Sequence, residues 1–122
     1  MHSTHVRLPE GVDVALHRSG PPGTTTAVLV HGIGMTHRTF ADLQPLLASH
    51  GPVVSVDLPG FGATARPSRA FSIADHAAAL DAALERTGVG RRVLVGHSMG
   101  AQVAVEHAVR RPDVVAGMVL IG

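Results

Sequence analysis

The sequence predicts an α/β fold, a mostly parallel sheet with flanking helices. Three observations carry that expectation: short aliphatic runs alternate with helix-period segments, turn residues separate them, and the runs are nearly continuous Val and Leu rather than apolar and polar in alternation. Strands of that kind are covered on both faces, which places helices on either side of parallel strands. At 122 residues the chain is large enough for one domain with a real core, or for part of a larger one.

Each element has its own signal. Val6 to Leu8 and Val12 to Leu16 flank Pro9-Glu10-Gly11, with Val12, Val14 and Leu16 on one side, so a hairpin is expected at the sheet edge. His2 and His5, ahead of it, fall in a terminus expected to fray. Arg18 to Thr26, rich in Gly, Pro and Thr, reads as a loop. The covered strands are Ala27 to His31, Pro52 to Asp57, Arg92 to Gly96 and Val114 to Ile121. A first helix is expected over Thr39 to His50 with Phe40, Leu43 and Leu47 on one face, interrupted and restarted at Pro45 and stopped by Gly51. A second opens with a capping box, Ser72 and Asp75, and puts Ile73, Ala77, Leu80 and Leu84 on one stripe before Gly88. The third, Ser98 to Arg111, is apolar around most of its circumference (Ala101, Val103, Ala104, Val105, Ala108, Val109), which predicts deep burial. No internal repeat, low-complexity tract or interdomain linker interrupts this order.

Composition narrows the function classes. Hydrophobic residues make up 45% and charged residues 16%, and three Phe are the only aromatics apart from histidine. Every basic residue is Arg, scattered along the chain apart from Arg91-Arg92 and Arg110-Arg111, so no basic stripe exists for nucleic acid. Arg110 and Arg111 precede Pro112 and suit the exposed carbonyls of a last helical turn. With no cysteine, disulfides, thiolate nucleophiles and Cys-based zinc sites are excluded. Apolar runs are too short to span a membrane, and the opening residues lack the apolar centre of a signal peptide, so a cytoplasmic location is expected. The nine histidines are dispersed, with no His-x-x-x-His pair on a helix, and no metal site is expected. Gly60 to Ala65 formally fits a dinucleotide Gly-x-Gly-x-x-Ala pattern, but Pro59 and Arg66-Pro67 deny it the helix that such a site opens.

Chemistry concentrates at Gly96-His97-Ser98-Met99-Gly100, which fits Gly-x-Ser-x-Gly. The pattern alone is weak, since roughly 0.1 matches arise by chance in a chain of this composition. Its setting, between a buried strand and a long apolar helix, is the one a nucleophile elbow requires. There the backbone turns so sharply that only glycine fits at 96 and 100, the Ser98 hydroxyl is held above the sheet, and the first free amide of the helix, Met99, can meet a developing oxyanion. The competing interpretation is Ser98 as an ordinary helix N-cap.

Two further motifs share that arrangement. After the Ala27 to His31 strand comes His31-Gly32-Ile33-Gly34, and after the next strand comes Asp57-Leu58-Pro59-Gly60-Phe61-Gly62-Ala63-Thr64. Together with the elbow, in this order, they resemble the N-terminal half of the α/β-hydrolase family. The resemblance implies that Ile33 supplies the second oxyanion amide beside Met99, that His31 organises the loop with Gly32, and that Asp57 is a turn and packing residue rather than the triad acid. Thr64 stands where the family has Ser and keeps the hydroxyl.

The family places the triad acid and histidine after the nucleophile, beyond Ile121. No acid or base is therefore expected within this chain: adjacent side chains at a sharp turn diverge, which removes His97, and His37 is the one local substitute base. The expectation is a partial α/β-hydrolase domain over 1–122, truncated after about the sixth strand, from a protein of about 250 to 300 residues, weakly active or inactive by itself. Strand 114–121 would be left as an exposed edge open to association. For the intact protein the resemblance implies an esterase- or lipase-type serine hydrolase acting on a small ester or related acyl bond, with no cofactor. Serine at 98 argues against the aspartate nucleophile of dehalogenase-like and epoxide-hydrolase-like members. Acyl transfer or perhydrolysis on the same core, and a non-catalytic small-molecule binding module, are the alternatives.

Overall fold

The structure, a computed structural model, describes residues 1–122. One sheet contains β1 (His2–Arg7), β2 (Asp13–Ser19), β3 (Thr26–Val30), β4 (Val53–Asp57), β5 (Arg92–His97) and β6 (Val115–Ile121), in the spatial order β1-β2-β4-β3-β5-β6. β2 runs antiparallel to both β1 and β4, and the β4-β3-β5-β6 portion is parallel. The helices are α1 (Leu43–Ala48), α2 (Ile73–Arg86) and α3 (Met99–Arg110), with short 3-10 turns at Pro9–Gly11 and His37–Phe40. No helix is long and apolar enough to cross a membrane.

Strand alternation divides the core between the two sheet faces. Val28, Val30, Val54, Val56 and Leu94 point to one side, where Ala77, Leu80 and Leu84 of α2 and Val103 and Ala104 of α3 cover them. Leu29, Val53 and Val95 point to the other, against Phe40 and the Leu43 and Leu47 side of α1. Each Val or Leu fully buried in this way contributes about 1.5–3 kcal/mol. That is why the central strands read as unbroken aliphatic runs.

The hairpin forms at the edge as expected, but the terminus does not fray. His2 pairs with Arg18 and His5 with Ala15, and the His5 ring lies 3.4 Å from the Asp13 carboxylate. Backbone pairing with β2 from Asp13 to Arg18 holds this end in the sheet.

The first helix also differs from expectation. The restart with Pro45 in a first turn is as expected, forming α1, but the segment ahead of it is the 3-10 turn His37–Phe40, set off by Ala41 and Asp42, rather than an α-helical stretch from Thr39. A continuous helix would drive the proline ring into the Ala41 carbonyl, so the break falls ahead of the proline. The buried residue of α1 is Gln44, whose amide donates to the His17 carbonyl oxygen (2.8 Å) and Ser19 Oγ (2.9 Å) and accepts from Ser55 Oγ (2.5 Å), pinning the helix across β2 and β4.

α2 matches its signals closely. Ser72 Oγ accepts from the Asp75 amide at 3.1 Å, and the Asp75 carboxylate accepts from the Ser72 amide at 2.9 Å. α3 is a correction: Val103, Ala104 and His107 are buried, but Val109 is 72% exposed and Val105 lies open on the same side. The helix packs on the sheet and α2 with one face only, and no element of this chain covers the other. β6 is likewise exposed over most of its length, Val119 at 51%, so the double coverage predicted for all four strands holds for β3, β4 and β5.

Arg92, at the start of β5, is fully buried. Its Nε and Nη2 donate to the Gly90 and Val89 carbonyl oxygens (2.8 Å each), and Nη1 lies 3.3 Å from His107 Nε2. Asp81 and Glu85 of α2 stand 3.6 Å from the guanidinium, and Arg111 bonds to the same two carboxylates. This network ties α2, α3 and β5 together.

Candidate active site

From β3 the chain steps by α1 to β4 on one side, and from β5 it steps by α3 to β6 on the other, so the connections leaving the neighbouring strands β3 and β5 run in opposite directions. The crevice beyond the carboxyl ends of β3 and β5 is therefore a switch point of the sheet, where ligands bind in open α/β folds. The register sets Val30 opposite Gly96, which brings the loop after β3 alongside the turn after β5.

Ser98 occupies that turn with φ 58 and ψ −119, one of only two non-glycine residues with positive φ. This backbone region strongly favours glycine, and a serine held there stores strain that the surrounding packing must sustain. Two glycines make the turn possible: a Cβ on Gly100 would strike the Val30 carbonyl oxygen, and a Cβ on Gly96 would lie 2.7 Å from Ala101 Cα while striking the Gly100 carbonyl. Ser98 is exposed and makes no side-chain cap hydrogen bond, so the simple N-cap interpretation is set aside. A helix cap serine has extended backbone and an engaged hydroxyl, and Ser98 has neither.

The loop after β3 presses against this serine. A Cβ on Gly32 would stand 3.0 Å from Ser98 Cβ and 3.2 Å from the His97 carbonyl oxygen. Ile33 follows, 70% exposed, and its amide makes no backbone hydrogen bond; Met99, the first residue of α3, is in the position where a helix amide has no intrahelical acceptor. His31 is buried, with Nδ1 donating to the Gly32 carbonyl oxygen (2.8 Å) and Nε2 accepting from the Leu58 amide (3.1 Å). Those partners fix a neutral tautomer, and burial pushes its pKa down. His31 thus fastens the loop after β3 to the turn after β4.

Asp57 does more than turn the chain. Its buried carboxylate accepts from the His37 amide (2.7 Å), the His37 ring (2.9 Å), the His17 ring (2.9 Å) and the Ala63 amide (3.2 Å), and a Cβ on Gly62 would collide with it. Burial pushes its pKa up, but these donors, the His37 amide foremost, outweigh burial and hold it below the usual carboxylate range. The Thr64 hydroxyl donates to the Leu58 carbonyl oxygen at 2.7 Å and accepts from the Phe61 amide at 3.0 Å, closing the turn as a serine would.

His17, His37 and Asp57 offer ligand atoms within 4.8 Å of one another, the one such trio in the chain. The imidazoles are stacked, with centroids 3.6 Å apart and planes 23° apart, and both bond to the carboxylate itself. The two ring nitrogens thus meet at one oxygen, Asp57 Oδ2, 2.9 Å from each. The His37 ring is thereby engaged by Asp57 and makes no hydrogen bond to Ser98. His97 faces inward, its Nδ1 buried without a partner. No histidine ring of the chain hydrogen-bonds to Ser98.

A cavity of about 520 Å³ is walled by Met99, the residue after the serine, and by Ile33, Phe61, Phe71, His76 and Arg66 among others. Arg69, at its rim, pairs with Asp75 and lies 4.9 Å over the Phe71 ring. Sequence reasoning passed over His76 and the Arg92–His107 contact; the available signals were a histidine four residues after a helix cap and an arginine opening a Val-rich strand.

A model of the α/β hydrolase fold matches residues 26–122, and the chain belongs to that family. It is similar to lipase LipV of Mycobacterium tuberculosis, 36% identical over 90% of this chain and 41% of the lipase. It is similar also to a haloalkane dehalogenase of Bradyrhizobium diazoefficiens, 31% identical over 88% of this chain and 35% of that enzyme. Cfl2 of Burkholderia cenocepacia superposes with a TM-score of 0.91 at 30% identity, over 97% of this chain and 40% of that one. The chain therefore spans about two fifths of the length of the relatives it matches.

Proposed function

We propose that the intact protein is a serine hydrolase that cleaves an ester or related acyl bond. Ser98 Oγ attacks the acyl carbon and gives its proton to a base contributed from beyond these residues. The Ile33 and Met99 amides hold the resulting oxyanion, the protonated leaving alcohol departs, and water then releases the acid from the acyl-serine. Each oxyanion donor contributes on the order of 10²–10³ in rate. Residues 1–122 alone bring no base to Ser98, so only the residual acceleration of oxyanion binding is expected of them.

The observation that carries this reading is Ser98 itself: an exposed hydroxyl on a strained backbone, engaged in no capping bond, with the Gly32 loop against it. Nothing in local stability explains a serine in a conformation that glycine fits better. Reaction of the intact protein with a fluorophosphonate probe tests it. Covalent labelling lost in Ser98→Ala is the expected result. A folded, complete protein that stays unlabelled is instead a binding module.

A further inference from the structure

Away from the serine, one cluster holds more chemistry than its turn requires. His17 on β2, His37 in the connection after β3 and Asp57 at the end of β4 offer ligand atoms that all lie within 4.8 Å of one another. The dispersal of the histidines in sequence, which argued against a metal, is undone by the sheet, because β2, β4 and β3 are neighbours in it and gather the three. Side-chain exposure is 6% for His17 and zero for Asp57, while His37 keeps 19% and lines a cavity of about 860 Å³. An ion therefore has a way in.

The backbone alone already closes both loops onto the carboxylate, through the amides of His37 (2.7 Å) and Ala63 (3.2 Å). Two imidazoles are added to these, with His17 Nε2 and His37 Nδ1 each 2.9 Å from Oδ2. The remaining ring nitrogens are placed as in histidines that hold a metal, whose second N–H is kept by an oxygen acceptor or by water. His17 Nδ1 lies 2.8 Å from Ser3 Oγ, and the other nitrogen of His37 bonds to no protein group.

We propose that His17 Nε2, His37 Nδ1 and Asp57 Oδ2 form a three-ligand site for a divalent transition metal of the zinc type, with water reaching the fourth position through the cavity beside His37. Tetrahedral zinc with bonds of about 2.0–2.1 Å sets neighbouring ligand atoms roughly 3.3 Å apart, so atoms now at 2.9 Å need to part by only a few tenths of an ångström. Two imidazoles in three ligands disfavour calcium and magnesium, which take oxygen. On binding, the ion takes the lone pairs that face it, and the proton of each neutral ring moves to the opposite nitrogen, where Ser3 Oγ accepts from His17 and water from His37. One ion then clasps β2, the connection after β3 and the turn after β4 together.

The test uses the intact protein, stripped of metal by a chelator and titrated with Zn2+ alone. One equivalent should bind saturably by calorimetry, and Tm should rise with free zinc as ligand linkage requires, while Mg2+ leaves it unchanged. His17→Gln and His37→Gln should each weaken zinc binding at least tenfold, whereas His2→Ala combined with His5→Ala, which removes the exposed histidines of β1, should not. Co2+ gives a readout that needs no variant: two imidazoles at low coordination number produce intense visible bands, and a shell of oxygens alone stays pale. Absence of saturable zinc binding, binding unchanged in both glutamine variants, or cobalt that stays pale each overturns the proposal and leaves a carboxylate shared by two rings. None of these outcomes touches the reading of Ser98, which fluorophosphonate labelling decides separately.

Discussion

Gly32 and Ser98 meet across the β3–β5 seam, with only 3.0 Å available between a Cβ on the first and the Cβ of the second. That distance is tight but not prohibitive, because the loop carrying Gly32 ends in the exposed Ile33 and can yield by a few tenths of an ångström. Gly32→Ala should therefore fold, with a loss of about 1 kcal/mol read from its urea midpoint. The same small displacement moves the Ile33 amide, and fluorophosphonate labelling of the intact protein should slow at least tenfold, as it would for a weakened oxyanion donor. Unchanged labelling kinetics would separate the Ile33 amide from the oxyanion.

Ser98 stands at φ 58, so replacing it should reveal the cost of its conformation. Relief of strain of about 1–3 kcal/mol, offset by the greater freedom of an unfolded glycine at roughly 0.4–1 kcal/mol, leaves Ser98→Gly about 1 kcal/mol more stable than the parent, a rise of ~4 °C in Tm. Ser98→Ala keeps the Cβ and the strain, and its Tm should stay close to the parent. A variant that gains stability as it loses its nucleophile is the signature of a residue retained for chemistry.

Much of the fold is legible in the sequence because its signals are local. The capping box at Ser72 and Asp75, the Val-rich strands and the Gly-x-Ser-x-Gly turn each follow from a short window whose physics is complete within it. What escaped depends on distant partners. Gln44 is buried because His17, Ser19 and Ser55 await it, and Arg92 because Asp81, Glu85 and His107 stand around it. The exposed side of α3 escaped for a related reason: apolar periodicity tells which faces could be buried, not whether a neighbour is there to bury them. At the site, the glycines and the serine could be read directly, while the role of Asp57 as the acceptor of two histidines from opposite ends of the fold could not.

That shared carboxylate is the next point to test. Asp57→Asn presents an amide N–H to a pocket built of donors, leaving the His17 ring or the His37 and Ala63 groups without an acceptor. Removal of a buried carboxylate so engaged costs about 3 kcal/mol or more, readable as a lower urea midpoint. Gly62→Ala should approach the same loss, since its Cβ collides with that carboxylate. If Asp57→Asn were as stable as the parent, the carboxylate would not be what joins the loop after β3 to the turn after β4.

The buried histidines determine how stability depends on pH. Burial lowers the pKa of His31, His76 and His107, the last helped by the nearby Arg92 charge, while unfolding returns each to its ordinary value of 6.5. Between the folded and unfolded values the unfolded chain carries protons that the folded chain refuses, so stability must rise with pH in that window. All three contributions are present in full above 6.5 and are lost progressively as pH falls below it. Asp57, also lowered on folding, adds a second loss with the same sign below its ordinary 3.8. Tm should accordingly be nearly level from pH 8 to 7 and fall steadily from 6.5 towards 5, without a stable plateau in mild acid. Replacing one titrating ring removes one term, so the His76→Phe chain should lose less Tm over the same interval than the parent. A Tm that rises as pH drops from 7 to 5 would mean that these rings gain protons on folding, reversing the assignment of His31 as a neutral acceptor for the Leu58 amide.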